Sequence, residues 1–248
     1  MKIRGTVALV TGANRGLGKA FAAALRDAGA AKVYGAARDP AALAGTGLRP
    51  VRLDITRPEE VAAAAAACGD VNLLINNAGV FRYAPLIDSP SLDAARAEME
   101  TNYFGTLAMC RAFAPVLGRN GGGALVNVLS VASWIAVATQ GSYCASKAAQ
   151  LMLTDGVRIE LRAQGTLVVG VHAGYIDTDM VAGLDVPKAR PADVVARTLA
   201  AIEAGAEEVL ADQRAVDIKA ALRNDPGSVA TLLATLWAQR KQAQPTSR

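Results

Sequence analysis

The sequence predicts an α/β protein built on a single doubly wound parallel sheet with helices on both faces. Short apolar runs, such as residues 6–10 and 124–129, alternate with helical patterns along the whole chain. No linker composition and no internal repeat interrupts this alternation, which is typical of parallel strands joined by crossover helices. We therefore expect residues 1–248 to form one domain, with a C-terminal helix over 225–241 and a flexible tail over 242–248.

Composition narrows the class of protein and its compartment. Of the 248 residues, 52% are hydrophobic and 4% are aromatic, so Ala, Val and Leu must build the core. No run of 18 apolar residues is present, so we expect no membrane partner. The N-terminus lacks the layout of a signal peptide, and three widely spaced cysteines argue against disulfides and a zinc site. These features predict a cytoplasmic protein without a metal.

The charge pattern argues against nucleic-acid binding and favours a small anionic ligand. The net charge is +4, and no block of like charges is present. A basic stripe with interleaved aromatic residues, which nucleic-acid binding would favour, is absent from the sequence. Mild basicity instead suits a nucleotide phosphate.

A glycine-rich turn follows the first predicted strand and precedes a helical pattern. The sequence from Thr11 to Gly18 has the spacing Gly-x-x-x-Gly-x-Gly. Between a strand and a helix, such a turn brings backbone N–H groups close to a pyrophosphate, although glycines also close ordinary tight turns. The expected cofactor contacts in this turn are Gly12, Asn14, Arg15, Gly16, Leu17 and Gly18.

The end of the second predicted strand, residues 32–36, indicates which dinucleotide is bound. Arg38 occupies the position where an acidic residue would favour NAD and an arginine would favour NADP. Arg15 in the glycine turn could reach the same 2′-phosphate. Asp39 is interpreted as a helix N-cap because Pro40 follows it. The alternative for Arg38 is a solvated surface charge.

Polar and small residues also follow the third and fourth predicted strands. The third predicted strand, residues 51–53, is followed by Asp54 and Ile55. Asp54 could bind an adenine amino group or serve as a turn residue. Residues 56–59 resemble a capping box that opens a helix over 60–67. Residues 71–75 lead into Asn76, Asn77, Ala78 and Gly79, which suit either close contact with a cofactor or a tight turn.

A long helix is predicted from a cap at Ser89 and Pro90 to about residue 117. Asn102 lies inside this helical pattern. An asparagine in the middle of a helix is usually a solvated residue, but it could also hold a water molecule beneath an active site.

The segment from Ser130 to Lys147 carries the candidate chemistry. Tyr143 and Lys147 lie four residues apart on a helix that Gly141 opens, so they share one face. A phenol has a pKa of about 10, and a neighbouring ammonium is expected to lower it. Ser130, at the end of the strand 124–129, could orient the same substrate oxygen. Tyr-x-x-x-Lys also occurs by chance on helices.

The last predicted elements complete the same edge of the sheet. His172, the only histidine, ends an apolar strand over 167–171 and is interpreted as a structural residue. Gly174, Ile176 and Thr178 follow directly. Pro191 opens another helix, and residues 208–210 form a short last strand. Ligands of such sheets bind beyond the carboxyl ends of the strands, where these candidates lie.

With these motifs in place, the chain resembles the short-chain dehydrogenase/reductase family from about Gly5 to about Leu210. The resemblance rests on the glycine turn, on the Asn-Asn-Ala-Gly segment ending at Gly79, on Asn102, and on Ser130 placed 13 residues before Tyr143-x-x-x-Lys147. It implies a Rossmann-like fold and hydride transfer between NADP(H) and a carbonyl/alcohol pair.

The resemblance also implies a role for each matching residue. Tyr143 would be the general acid/base, and Ser130 would hold the substrate oxygen. Lys147 would bind the nicotinamide ribose and lower the pKa of Tyr143. Asn102 would hold a water molecule in a proton relay, and Thr178 would touch the carboxamide. A homodimer or homotetramer is implied as well, and a dimer through the Asn102 and Tyr143 helices is the safer expectation.

Two departures from the family pattern concern the substrate side. Ala173-Gly174 stands where the family usually has Pro-Gly, and the following loop is short. The usual glycine-rich ending is replaced by the helix over 225–241, which could pack on the body, cover the active site or reach a partner subunit.

The loops that should face the substrate are apolar, which suggests an apolar or aromatic ketone or aldehyde. No charged residue in these loops is an obvious partner for a substrate carboxylate. The residues expected to face the substrate are Phe81, Tyr83, Trp134, Ile135, Val137, Tyr175, Met180, Val181 and Leu184. Alcohol oxidation or epimerisation with the same residues, and a non-catalytic NADP(H)-sensing protein, remain alternatives.

Overall fold

The computed structural model describes residues 1–243 and shows one parallel sheet of seven strands. The strand order is β3-β2-β1-β4-β5-β6-β7, so the direction of winding reverses between β1 and β4. This is the predicted doubly wound α/β fold. The strands are β1 Val7–Thr11, β2 Lys32–Ala37, β3 Arg49–Arg52, β4 Leu73–Asn76, β5 Ala124–Val128, β6 Leu167–His172 and β7 Glu208–Leu210.

Helices cover both faces of this sheet. They are α1 Gly16–Asp27, α2 Pro58–Ala67, α3 Asp93–Glu98, α4 Thr106–Arg119, α5 Gly141–Leu161, α6 Pro191–Ala204, α7 Gln213–Asn224 and α8 Pro226–Ala243. A π-helical segment, Met99–Gly105, joins α3 to α4. None of the helices within residues 1–243 is long and apolar enough to cross a membrane.

The core consists of two apolar layers, one on each face of the sheet. Phe21 of α1 and Ile202 of α6 belong to one layer. Met109 and Phe113 of α4 belong to the other. All five residues of β5 are buried, as expected for a central parallel strand covered on both sides. The carboxyl ends of the strands are thereby held at one rigid edge.

The helix predicted from Ser89 begins later and is not continuous. Its first α-helical residue is Asp93, whose backbone N–H donates to the Ser91 hydroxyl. Ser89 instead donates to the Ser91 carbonyl in a turn that precedes the helix. The π-helical segment then interrupts the helical pattern around Asn102.

The predicted capping box at residues 56–59 was wrong. Helix α2 begins at Pro58, and its N-cap residue Arg57 makes no side-chain cap. The Thr56 hydroxyl donates to Asp54 Oδ1 at 2.7 Å instead. Glu60 accepts a hydrogen bond of 2.7 Å from the Asp54 backbone N–H, so the threonine and the glutamate both fix Asp54.

The C-terminal region contains two helices. Helix α7, whose N-cap Asp212 accepts from the Ala215 N–H, was not predicted from the sequence. Helix α8 covers the predicted 225–241 helix and contacts α7. Residues 244–248, most of the predicted flexible tail, lie outside the described residues.

Candidate active site

A cleft of about 690 Å³ lies beyond the carboxyl ends of the six strands β1 to β6. The structure brings most of the predicted site residues together in its walls. Those lining the cleft are Gly12, Asn14, Arg15, Gly16, Leu17, Arg38, Asp54, Ile55, Ala78, Gly79, Ser130, Tyr143, Lys147, Gly174, Ile176 and Thr178.

Gly18 and Asn76, two predicted cofactor contacts, do not line the cleft. A Cβ atom on Gly18 would lie 2.2 Å from the Gly12 carbonyl oxygen, so this glycine allows α1 to pack against the turn. Asn76 is buried and donates to Asn127 Oδ1 at 2.9 Å inside the sheet. Its neighbour Asn77 lines the cleft instead and donates to the Thr11 carbonyl at 2.9 Å.

The glycine turn has the shape that a dinucleotide pyrophosphate requires. Gly12 and Gly16 have φ values of +67° and +52°, in the left-handed region that favours glycine. A Cβ atom at Gly12 would lie 3.2 Å from Ala78 Cα, so a side chain would crowd the floor of the cleft. Helix α1 begins at Gly16 without a side-chain cap, which leaves the N–H groups of its first turn available to an anion. These residues fit a nucleotide cofactor.

Two exposed arginines, Arg15 and Arg38, and Asp54 line the cleft at the same end as the glycine turn. Arg15 pairs with Asp179 across the cleft at 3.8 Å. Asp54 accepts hydrogen bonds from the Thr56 N–H and hydroxyl. Burial alone would raise the pKa of Asp54, but these bonds, together with the charges of Arg38 and Arg57, outweigh it and lower the pKa. Asp39 accepts from the Ala41 N–H at 3.0 Å, which confirms the predicted N-cap.

Tyr143 lies half-buried beside Phe81, whose ring centroid is 4.9 Å from its own in an edge-to-face contact. Burial raises the pKa of Tyr143 well above that of a free phenol, and the Ser130 hydroxyl acts in the opposite direction. The tyrosine therefore carries its proton at neutral pH. The lowering of this pKa by the Lys147 ammonium stays a prediction.

Ser130 is held at the end of β5 by two backbone groups. Its Oγ accepts from the Ala132 N–H at 3.1 Å and donates to the Ala173 carbonyl at 3.4 Å. The second bond is long and therefore weak. The hydroxyl can leave the Ala173 carbonyl at little cost and donate into the cleft.

Lys147 is buried and fixed by two acceptors. Its Nζ donates to the Val128 carbonyl at 2.9 Å and to Gln150 Oε1 at 2.8 Å. The Nζ atom lies 5.7 Å from the centroid of the Tyr143 ring. Burial lowers the pKa of Lys147 to about 7. An ammonium has three donors, so one remains for a ligand.

Asn102 is fully buried, which excludes the alternative that it is a solvated helix residue. Its Oδ1 accepts from the Val80 N–H at 2.9 Å, and its Nδ2 donates to the Val80 carbonyl at 3.0 Å. Nδ2 also donates to Ser146 Oγ at 2.9 Å. The side chain does not line the cleft, but it joins the wall after β4 to α5. π-Helical segments of this kind recur at functional sites.

Comparison with known proteins identifies the family. The sequence-family model for short chain dehydrogenases matches residues 6–188 of this chain. The chain belongs to the short chain dehydrogenase family. It is therefore an oxidoreductase that acts on CH–OH or carbonyl groups, and its cofactor is a nicotinamide dinucleotide.

Three similar proteins illustrate this membership. A crystal structure of a short chain dehydrogenase from Burkholderia cenocepacia in complex with NADP is 45% identical, with a TM-score of 0.91, and covers 94% of this chain and 99% of that one. The cis-4-hydroxycyclohexanecarboxylate dehydrogenase of Sinomonas cyclohexanicum is 38% identical over 79% of this chain and 80% of its own. The 3-oxoacyl-[acyl-carrier-protein] reductase of Vibrio cholerae is 33% identical over 75% of this chain and 79% of its own.

The substrate end of this short chain dehydrogenase is only partly as predicted. Phe81, Ile135, Val137, Tyr175, Met180 and Val181 line the cleft, whereas Tyr83, Trp134 and Leu184 do not. Trp134 stacks on His172, with ring centroids 4.0 Å apart. His172 is buried and lies 3.2 Å from Ser133 Oγ, which fits the predicted structural role.

Two further residues beside the cleft were not predicted from the sequence. Arg214, at the start of α7, lines the cleft. Buried Glu98 accepts from the Arg82 N–H and from the Ser142 hydroxyl, next to Tyr143. The N-cap residue Asp212 was the available signal for α7, but nothing in the sequence indicated where Glu98 points.

Proposed function

We propose that this chain is an NADPH-dependent carbonyl reductase, able to run in reverse as an alcohol dehydrogenase, with Tyr143 as its general acid/base. One observation carries the proposal. A single cleft holds the glycine turn and Arg38 at one end and Ser130, Tyr143 and Lys147 at the other. A dinucleotide extending from one end to the other would therefore bring its reactive ring beside the tyrosine.

The preference for NADP(H) is supported by the charge at the nucleotide end. Arg15 and Arg38 are exposed cations in the cleft wall, where a 2′-phosphate would be recognised. The similar Burkholderia protein was crystallised with NADP. The glycine turn and the N-terminus of α1 would hold the pyrophosphate, and Lys147 would use its free donor on the ribose of the nicotinamide.

A nicotinamide cofactor, when bound, would supply the hydride that this reaction requires. Ser130 donates a hydrogen bond to the substrate carbonyl oxygen and polarises it. Tyr143, protonated at neutral pH, transfers its proton to that oxygen as the carbonyl carbon accepts the hydride. The ammonium form of Lys147 then stabilises the phenolate left behind.

The substrate is proposed to be an apolar or aromatic ketone or aldehyde. Phe81, Ile135, Val137, Met180 and Val181 form the wall near Tyr143. The name of the similar Sinomonas enzyme describes a hydroxyl on a saturated ring, which is compatible with such a wall.

A homodimer through the π-helical segment and α5 is proposed as the assembly. Phe104, Met152 and Ile159 lie on these helices and are all more than half exposed. Covering them would remove apolar surface from water.

Replacement of Tyr143 by phenylalanine tests the proposed reaction. We expect a loss of turnover of roughly 10²–10⁴-fold, the usual contribution of a general acid, with NADPH affinity changed less than about three-fold. Tyr103→Phe is the matched control, because Tyr103 is absent from the cleft wall. Equal losses of turnover and of NADPH binding in Tyr143→Phe would contradict the acid role.

A further inference from the structure

Arg214 brings a positive charge to the substrate end of the cleft. It is the second residue of α7, and its side chain lines the cleft together with Gly174 and Tyr175. The Tyr175 hydroxyl accepts a hydrogen bond from Gln140, the N-cap residue of the helix α5 that carries Tyr143, so Tyr175 lies at the Tyr143 end of the cleft. Arg214 therefore stands at the end where a substrate would react, away from Arg15 and Arg38 at the nucleotide end.

The stem of Arg214 is held against the cleft by close packing. A Cβ atom on Gly174 would lie 2.6 Å from Arg214 Cδ and 3.2 Å from its Cγ, so the arginine stem occupies the place that a side chain would take. The guanidinium lies 5.0 Å from the centroid of the Tyr175 ring, within cation–π distance. The Tyr175 hydroxyl accepts from Gln140 Nε2 at 3.0 Å, and this bond fixes the ring beneath the cation.

The helix that carries Arg214 is also tied to the loop it faces. Asp212 Oδ2 accepts from the Gly174 N–H at 2.7 Å, and its Oδ1 accepts from the Ala215 N–H at 2.8 Å. The carboxylate is thus committed to two backbone groups. It fixes the start of α7 against the 174–175 segment, and this contact fixes the backbone position of Arg214.

The Arg214 guanidinium has no anionic partner within residues 1–243. No carboxylate there lies within 4.0 Å of it, and it makes no hydrogen bond there. A guanidinium offers five donors in a planar fork that matches a carboxylate. The fork is therefore available to a molecule in the cleft.

We propose that Arg214 binds a carboxylate carried by the substrate, so that this enzyme acts on oxo acids or hydroxy acids with an apolar spacer. The inference rests on the proposed carbonyl reduction and specifies its substrate class. The apolar wall would cover the spacer, Ser130 and Tyr143 would take the carbonyl oxygen, and Arg214 would set the distance between the two polar groups.

Arg82 is another arginine of the cleft wall that could bind a substrate carboxylate in place of Arg214. It lines the cleft and is exposed, like Arg214. Its backbone N–H is fixed by Glu98, but its guanidinium has no contact comparable to the Tyr175 ring among the described residues. Arg82→Gln therefore serves as the control for removal of one positive charge from the cleft.

The test compares acids with their neutral amides of the same shape. Reduction of 4-acetylbenzoate and 4-oxopentanoate, and of the corresponding amides, is measured with NADPH in the native enzyme, Arg214→Gln, Arg214→Lys and Arg82→Gln. We expect Arg214→Gln to lower kcat/KM for the acids by roughly 10–100-fold, the range for a charge-assisted hydrogen-bonded pair, mainly through KM. The amides should change less than about three-fold, and Arg214→Lys should recover part of the loss because it keeps the charge.

Binding of the same acids is measured in parallel as the shift in thermal midpoint of the native and variant proteins with saturating NADP⁺. Acid binding that depends on Arg214 but occurs without turnover would support the carboxylate site and contradict the proposed reaction. If Arg214→Gln turns over both the acids and the amides as the native enzyme does, the carboxylate site is overturned, whereas the proposed reaction is not contradicted. The carboxylate site would also be overturned if only Arg82→Gln lost recognition of the acids, or if the native protein bound neither acid.

Discussion

Lys147 donates a hydrogen bond of 2.8 Å to Gln150 Oε1, three residues further along α5. Gln150 is itself fully buried and donates to Thr106 Oγ1 of α4 at 3.0 Å. The Val128 carbonyl, at the end of β5, is the second acceptor of the ammonium. The position of the Lys147 charge is therefore set jointly by a strand and two helices.

Replacing Gln150 by methionine should weaken catalysis without removing a group that touches substrate. The variant keeps the side-chain volume but deprives Lys147 of one acceptor, and a hydrogen bond to a charged group contributes about 1.5–3 kcal/mol. We expect kcat/KM to fall by about ten-fold or more in steady-state assays. Gln150→Glu keeps the acceptor and adds a negative charge, which should move the ionisation of Lys147 to higher pH in a pH–rate profile. Native kinetics in Gln150→Met would contradict the positioning role.

His172 should make the fold sensitive to mild acid. Burial lowers its pKa to about 4 from the usual value of 6.5. Between these values the folded state binds fewer protons than the unfolded state, so stability is lost as the pH falls from about 6.5 toward 4.

His172→Gln is the control variant, because a glutamine side chain does not ionise between pH 4 and pH 7. The free energy of unfolding in urea is measured for both proteins at pH 7 and pH 4. The native protein should lose about 3 kcal/mol more than the variant over this range. Parallel losses in the two proteins would show that other groups cause the acid sensitivity.

Arg240 of α8 links the C-terminal helix to the loop beside the active site. It donates to the Tyr83 hydroxyl at 2.7 Å, and the Tyr83 and Phe81 ring centroids lie 5.6 Å apart. Phe81 in turn packs against Tyr143. The helix does not line the cleft and thus supports a cleft wall instead of covering the cleft.

Arg240→Ala should loosen this wall and raise the KM for a carbonyl substrate. Exposed contacts of this kind contribute about 0.2–1 kcal/mol, so we expect a two- to five-fold effect. Gln239→Ala, an exposed neighbour on α8, is the control. If both variants behave like the native enzyme, α8 has no part in shaping the substrate end.

The sheet and most of the site were predictable because they depend on local patterns. Apolar runs identified every strand to within a few residues, and parallel strands necessarily bring their carboxyl ends to one edge. Arg38, Ser130 and Thr178 were placed correctly in the cleft for that reason. Spacing on a helix likewise put Tyr143 and Lys147 on one face.

What could not be predicted depends on tertiary contacts. The sequence does not show that burial raises the pKa of Tyr143. The π-helical segment around Asn102 is stabilised by contacts with Val80 and Ser146, which lie far away in the sequence. Arg214 was missed as a charge for a carboxylate because its place opposite Tyr175 follows from the packing of α7.

The most direct test of the assignment of this cleft to NADP(H) is a fluorescence titration of the native protein and Arg38→Ala with NADPH and with NADH. Arg49→Ala, which removes an exposed arginine of β3 outside the cleft wall, is the control. We predict that the native protein and the control bind NADPH more tightly than NADH. Arg38→Ala should lose about ten-fold or more in NADPH affinity, which corresponds to about 1.4 kcal/mol, and keep its NADH affinity. Binding of neither nucleotide, or equal binding of both by the native protein, would contradict the assignment of this cleft to NADP(H).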